Sequence, residues 1–227
     1  MSFWRVVIVS GVSMWMVVYT LVIWRGFRDQ VTGMPLVLLT SEIVWEFYYG
    51  FINQHPIPHR YFAQFAFTID CGMYVQYWMY GHKNFPASLP KWMARAALLF
   101  ATAFSAALVV AMGRDLHDQY GNYFSFTYCV IQGPAFCAML ARRNSLAGQS
   151  LYIGLCAIIG DLCYMIPFHW RAPTFNMFTV MDVGAIPMQI VYVWMIVRYC
   201  RTHGISPWAL HPHPRPARIG ASAHASV

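Results

Sequence analysis

The chain has 227 residues, of which 59% are hydrophobic and only 10% are charged, and its mean hydropathy is +0.45. Soluble domains carry roughly 25% charged residues, so this composition excludes an ordinary soluble protein. The formal charge of +7 does not indicate nucleic-acid binding, because the basic residues are dispersed between apolar runs and form no dense patch.

Apolar runs of about 20 residues recur along the chain, which is the length that an α-helix needs to cross a bilayer. The first run is too long for the apolar core of a signal peptide and lacks a small-residue cleavage site. The sequence predicts an all-α fold: a polytopic membrane protein with a seven-transmembrane-helix bundle at 1–200, then a disordered cytoplasmic tail at 201–227. His211 and His213 in that tail are interpreted as solvated residues. The predicted helices cover residues 4–24, 34–53, 61–80, 93–112, 123–141, 150–169 and 178–198.

The basic residues predict how the bundle lies in the membrane. Seven helices place the termini on opposite sides, and eleven Lys and Arg fall on the side of the C-terminus against four on the other. The positive-inside rule therefore predicts an outside N-terminus and a cytoplasmic C-terminus. Only two of these basic residues are Lys, which is compatible with a GC-rich bacterial genome and favours a bacterial plasma membrane over the endoplasmic reticulum.

The second predicted helix carries two carboxyl groups, Glu42 and Glu46, at membrane depth. Four residues apart, they share one helix face, which Tyr49 extends by a further turn. A charged acid at the bilayer centre costs at least about 2.5 kcal/mol, and apolar surroundings favour the neutral form of a carboxyl. We therefore expect one of these acids to hold a proton that it can donate.

Other intramembrane polar and aromatic residues follow in chain order. They are Asp70, Tyr74 and Tyr77 in the third predicted helix, Gln132 in the fifth, Asp161 in the sixth, and Asp182 and Gln189 in the seventh. At about 1.5 Å per residue, four of the acids (Glu46, Asp70, Asp161 and Asp182) lie about 9–14 Å below the outer ends of their helices. This common depth predicts a polar pocket in the outer half of the bundle, although each acid could instead be satisfied separately as an interhelical contact.

The predicted pocket combines acids with aromatic rings, such as Trp45 beside Glu46. Both Lys lie in predicted loops and most Arg lie at helix ends, so no obvious membrane-embedded cation neutralises the acids. A buried acid can protonate an epoxide or an alkene, and nearby ring faces attract the carbocation that results. The residues therefore favour chemistry that a proton starts and a carbocation continues.

Four segments carry a resemblance to a known family. They are GMPLVLLTSEIVWEFYYGFI with its Trp-Glu pair, TIDCGMY, CVIQ followed by ARRNSLAGQS, and MDVGAIPMQIVYVWMIVRY with its single Asp. In this order they resemble helices and a loop of the integral-membrane terpene cyclases of the pyripyropene and paxilline type, which belong to meroterpenoid and indole-diterpenoid pathways, and of their bacterial drimentine-type relatives. The similarity covers nearly the whole chain.

The resemblance implies a terpene cyclase of secondary metabolism, of isomerase or lyase type, that is started by protonation and is independent of metal. Its essential acid pair corresponds to Glu46 and Asp182. Glu42 and Asp70 depart from the paxilline type, which carries amides there, so the proton could be shared among several acids. The expected substrate is a farnesyl or longer prenyl chain on an indole or another aromatic group, reached from the lipid bilayer. Neither a DxDD nor a DDxxD motif occurs, and no cofactor is expected.

Two other classes of function fit a chain with intramembrane acids. A proton-coupled transporter would use them as relay sites, but transporters of this kind usually show repeat symmetry and no repeat is visible in the sequence. A retinal-based sensor needs a Lys in the last helix for its Schiff base, and the last predicted helix has none.

Overall fold

The computed structural model describes residues 3–171 and 176–210 of the chain. Within these residues the chain forms seven α-helices and no strand, which confirms the predicted all-α bundle. The helices are α1 (Phe3–Asp29), α2 (Leu36–Phe47), α3 (His59–Tyr80), α4 (Trp92–Asp115), α5 (Asn122–Arg143), α6 (Leu151–Arg171) and α7 (Met177–Thr202).

Helices α1 and α2 differ most from their predicted bounds. Helix α1 continues beyond residue 24 to Asp29, because the Asp29 side chain pairs with Arg28 and accepts the Gly148 N–H at 2.9 Å, which ties the last turn to the loop after α5. Helix α2 changes at Tyr48–Ile52 into one π-helical turn. There Gln64 Nε2 donates to the carbonyl of Gly50 at 2.9 Å, which satisfies a polar group that the wider turn presents to α3.

Close helix contacts set the positions of the polar side chains. Helix α1 packs on α6, α5 on α7, and α2 lies against α3 and α4. Gly133 makes the contact between α5 and α7 possible, since a Cβ there would lie 2.6 Å from the Cβ of Met188. Gly11 does the same for α1, where a Cβ would lie 2.8 Å from that of Cys163 in α6. Small residues of this kind let helix backbones approach closely in membrane proteins.

By length and composition, four of the described helices are long and apolar enough to cross a membrane, namely α1, α4, α5 and α7. The apolar part of α6 is shorter, at Leu151–Pro167, and α2 has only 12 residues before its π-turn. Large apolar side chains on the outside of α4, such as Phe100 and Phe104, are exposed, as expected for a surface that faces lipid.

The described loops lie at two opposite ends of the bundle, the His55 end and the Arg143 end. The His55 end holds the loops at 53–58 and 116–121, and the Arg143 end holds those at 30–35, 85–91 and 144–150. Which end faces the cytoplasm stays a prediction. The first residues of the predicted tail follow α7 back across the Arg143 end, where the Leu210 carbonyl accepts from Arg28 at 3.2 Å. His211, His213 and the rest of the tail lie outside the described residues.

Candidate active site

A cavity of about 200 Å³ lies between α1, α2, α3, α5 and α6, in the half of the bundle nearer the His55 end. Its acidic lining residues are Glu42, Glu46 and Asp161. Aromatic rings form much of the remaining wall; they belong to Trp15, Tyr19, Trp45, Phe62, Phe124, Tyr128 and Tyr164. The cavity therefore combines carboxyl groups with ring faces, as the sequence predicts.

Glu42 is oriented by hydroxyl groups from two other helices. Tyr19 of α1 donates to Glu42 Oε1 at 3.0 Å, and Tyr128 of α5 makes a short hydrogen bond to the same oxygen. Glu42 Oε2 is buried with no hydrogen-bond partner among the described residues. Oε1 of this carboxyl is thus held in place by two hydroxyls, while Oε2 can still bind another group.

Glu46 and Asp70 are two neighbouring buried acids. The Tyr19 hydroxyl lies 3.5 Å from Glu46 Oε1, and the Asp70 carboxyl lies beside that of Glu46. Asp70 is fully buried, and neither of its oxygens has a hydrogen-bond partner in the described part of the chain. Asp70 therefore supports Glu46 from behind, since it does not itself line the cavity.

These three carboxyls are close enough to interact, and Tyr19 bridges two of them. Among the described residues that line the cavity, none is Lys or Arg. Three negative charges at such separations in a site of low dielectric would repel one another strongly. The cluster must therefore hold at least one proton, which its members share.

Asp161 stands on the α6 wall of the cavity and has a donor on each oxygen. Trp15 Nε1 donates to Oδ1 at 3.1 Å, and Gln189 Nε2 of α7 donates to Oδ2 at 2.5 Å. Asp161 is buried, with 3% of its surface exposed. Two N–H donors fix the direction of this carboxyl and link α6 to both α1 and α7.

Asp182 lies outside the cavity, which corrects the prediction that four acids line one pocket. It borders a second, mostly apolar groove of about 820 Å³ between α6 and α7. There it makes a short contact with His169 Nε2, while its Oδ1 has no hydrogen-bond partner among the described residues. Depth along a helix is read from sequence, but the direction in which a side chain points around the helix axis depends on packing.

Some of the remaining predicted residues lie at the cavity and others do not. Trp45 lines the cavity and donates to the Gly121 carbonyl at 3.1 Å, whereas Tyr49 is buried behind it. Tyr74 bonds Thr102 of α4 at 3.2 Å, and Tyr77 packs in the core close to Gly81 at the Arg143 end. Gln189 reaches Asp161, but Gln132 is buried without lining the cavity. Tyr74, Tyr77 and Gln132 are therefore not among the residues that line the cavity, and their supporting roles stay a prediction.

Helices α1 and α5 contribute side chains to the cavity that the sequence does not predict. Trp15 and Tyr19 lie four residues apart, on one face of a helix that was interpreted only as a membrane span. Their spacing was the available signal. Tyr128 and His169 gave no comparable signal, because each meets its carboxyl partner only through the tertiary fold.

His55, in the loop between α2 and α3, also lines the cavity. Its Nε2 lies 3.1 Å from the Tyr120 carbonyl, and its ring packs on Tyr49 and Trp45 with centroid distances of 4.8 and 5.3 Å. Burial lowers the pKa of His55 below its usual value. The imidazole is therefore neutral at pH 7 and donates to the carbonyl. Over the described residues, no group of three or more His, Cys, Asp or Glu is arranged to hold a metal ion.

Comparison with known proteins identifies the family. The family model of the Pyr4-like transmembrane terpene cyclases matches residues 2–200. The Pyr4-family terpene cyclase mfmH of Annulohypoxylon moriforme is 29% identical over 168 residues, which are 73% of this chain and 69% of that protein. No solved structure matches the chain.

Two further fungal relatives agree. The terpene cyclase dpasB of Apiospora sacchari is 22% identical over 88% of this chain and 83% of its own length. The terpene cyclase spyD of Aspergillus fumigatus is 25% identical over 72% of this chain and 70% of its own length. With a family model that covers nearly all of the helical bundle, the chain belongs to the Pyr4-like transmembrane terpene cyclases and is a multi-pass membrane enzyme.

Proposed function

We propose that this enzyme cyclises a prenyl chain of farnesyl length or longer, attached to an indole or another aromatic group, and that protonation starts the reaction. The observation that carries the proposal is the cluster of three buried carboxyls, Glu42, Glu46 and Asp70, at the wall of an aromatic cavity. The reaction is an isomerisation: one proton enters, new ring bonds form, and one proton leaves. It requires no metal ion or cofactor.

Glu46 is the proposed proton donor. It lines the cavity, its Oε2 has no hydrogen-bond partner among the described residues, and Asp70 lies behind it as a second carboxyl that can return the proton. Glu42 is held by two tyrosine hydroxyls. This arrangement supports an orienting and charge-stabilising role for Glu42, and the initiating proton comes from its neighbour one helical turn further on.

Asp161 is the proposed acceptor of the proton that ends the cascade. It is the carboxyl on the α6 wall of the cavity, and N–H donors on both oxygens stabilise its carboxylate form, which is the form that can accept a proton. The rings of Trp15, Trp45 and Phe124 also line the cavity. Their faces would stabilise the migrating positive charge by about 2 kcal/mol or more where water is excluded.

Asp182, the second essential acid that the family resemblance implies, is proposed as a positioning residue. Its contact with His169 joins α7 to α6 on the groove side, and the bond from Gln189 to Asp161 joins the same helices on the cavity side. Loss of the first link would allow α6 to rotate and turn Asp161 away from the cavity. Asp182 therefore acts on the reaction through the α6 wall.

A direct test incubates membranes that contain the enzyme with prenylated indoles and phenols, with and without a terminal epoxide. We expect a product of unchanged mass and shifted retention time, which disappears with Glu46→Gln and persists with Asp115→Asn, an exposed acid at the end of α4. A folded wild-type enzyme that converts no member of the panel would refute the proposed substrate class. The transporter alternative then predicts proton flux in liposomes, although all three relatives above are named as terpene cyclases.

The composition supports a bacterial plasma membrane as the location, while the three relatives come from fungi. Cell fractionation of the native host checks this assignment.

A further inference from the structure

A cleft of about 470 Å³ opens at the Arg143 end of the bundle, between the segment after α3 and the loop after α5. Three cationic residues line it: Lys83, Arg142 and Arg143. The other lining residues are neutral, namely Val31, Asn84, Phe85, Pro86, Ser145 and Ala147. The cleft thus gathers three positive charges without a carboxylate among its described lining.

Arg143 is fixed in this cleft by neutral acceptors. Its guanidinium donates to Thr32 Oγ1 at 2.6 Å, to Asn84 Oδ1 at 2.7 Å and to the Ala147 carbonyl at 3.2 Å. Asn84 in turn donates to Thr32 Oγ1 at 2.8 Å. These bonds orient the guanidinium rigidly, but they leave its charge uncompensated.

The acid that lies near this end is already engaged elsewhere. Asp29 pairs with Arg28 at 2.7 Å and accepts the Gly148 N–H at 2.9 Å. Lys83 donates to the Gln30 carbonyl at 2.8 Å, which is again a neutral partner. Within the described ranges, the ion pairs are Arg28 with Asp29 and His169 with Asp182, so none involves the cations of the cleft.

We propose that this cleft binds the phosphate group of an anionic membrane lipid. Guanidinium groups match phosphate oxygens in geometry and charge, and basic pockets at the membrane surface between helices select anionic headgroups. Phe85 and Pro86 give the cleft an apolar edge, against which the glycerol and the first acyl carbons pack. The site is separate from the reaction cavity, which lies in the other half of the bundle.

The test uses the full-length protein, purified in an uncharged detergent, and native mass spectrometry with phosphatidylglycerol or phosphatidylcholine. Lys83→Gln with Arg142→Gln removes two exposed charges of the cleft and spares Arg143, which the fold needs. At about fivefold for each charge, we expect the double variant to bind phosphatidylglycerol about 25-fold more weakly. The matched control is Lys91→Gln with Arg198→Gln, two exposed cations at the same end that do not line the cleft.

Adding glycerol 3-phosphate as a competitor tests whether a soluble phosphate ester also binds in the cleft. Displacement of phosphatidylglycerol that depends on Lys83 and Arg142 would support the phosphate site and show that soluble phosphate esters also enter it. Equal binding of the two lipids by the wild type, without binding of glycerol 3-phosphate, would overturn the proposal. Equal losses in the cleft variant and the control variant would also overturn it, because general surface charge would then explain the binding.

Discussion

The most informative perturbation compares Glu46→Gln with Glu42→Gln, two substitutions of equal size one helical turn apart. An amide at position 46 cannot give up a proton, and general acid catalysis contributes about 10²–10⁴ in rate, or about 2.7–5.4 kcal/mol. Asp70 only lies behind Glu46, and Glu42 is held by the hydroxyls of Tyr19 and Tyr128, so neither neighbour is placed to take over the donor role. We expect E46Q to abolish detectable cyclisation.

Glu42→Gln should be milder for a structural reason. The amide oxygen can still accept from Tyr19 and Tyr128, as Glu42 Oε1 does. The amide NH₂ takes the place of Oε2, which has no hydrogen-bond partner in the described chain, so one buried donor is left unpaired. We therefore expect the rate of cyclisation to fall about tenfold, which corresponds to about 1.4 kcal/mol.

The assay is the initial rate of isomer formation in membranes, measured by liquid chromatography and mass spectrometry and divided by the amount of folded enzyme. Asp115→Asn serves as the control for loss of an acid outside the cavity. Complete inactivation by E42Q together with near-normal turnover by E46Q would refute the reasoning, because the hydroxyl-bound acid would then be the donor.

Three further predictions test the supporting structure. Asp182→Asn should reduce turnover to near background, and His169→Gln should reduce it about tenfold. The same assay applied to the double variant tests whether the two residues act together. Additive losses would show that they act independently. Gly133→Ala should lower the free energy of unfolding in detergent by about 1–3 kcal/mol, because the new Cβ meets the α7 backbone. Gly184→Ala is the control, since Gly184 has open space around it and no loss is expected. Thermal unfolding compares the two variants. Burial lowers the pKa of His55 in the folded protein. The contribution of neutral His55 to the free energy of unfolding should therefore be fully present above about pH 6.5. It should be lost as the pH falls from there through the folded-state pKa. Thermal unfolding from pH 5 to 8 should show a weaker acid loss in His55→Gln, and an unchanged profile would exclude His55 as its source.

Sequence alone was sufficient for the number of helices and for their order. Each apolar run is long enough to form its own hydrogen bonds within one helix, and the breaks at Gly, Pro and charged residues are local signals. The burial of Glu42 and Glu46 could be predicted for the same reason, since both lie inside an apolar run. The extension of α1 to Asp29 could not, because residues distant in sequence stabilise its last turn.

The composition of the site depended on the tertiary structure. Helical rise placed Asp161 and Asp182 at one depth, but the rotation of α6 and α7 about their axes sends Asp161 into the cavity and Asp182 into the outer groove. In the same way, the orientation of α3 about its axis turns Tyr74 towards α4, and that of α1 brings Tyr19 close to two carboxyls of α2. Depth follows from a single helix, whereas side-chain direction is fixed by close contacts such as the one at Gly133, which exist only once the helices have packed.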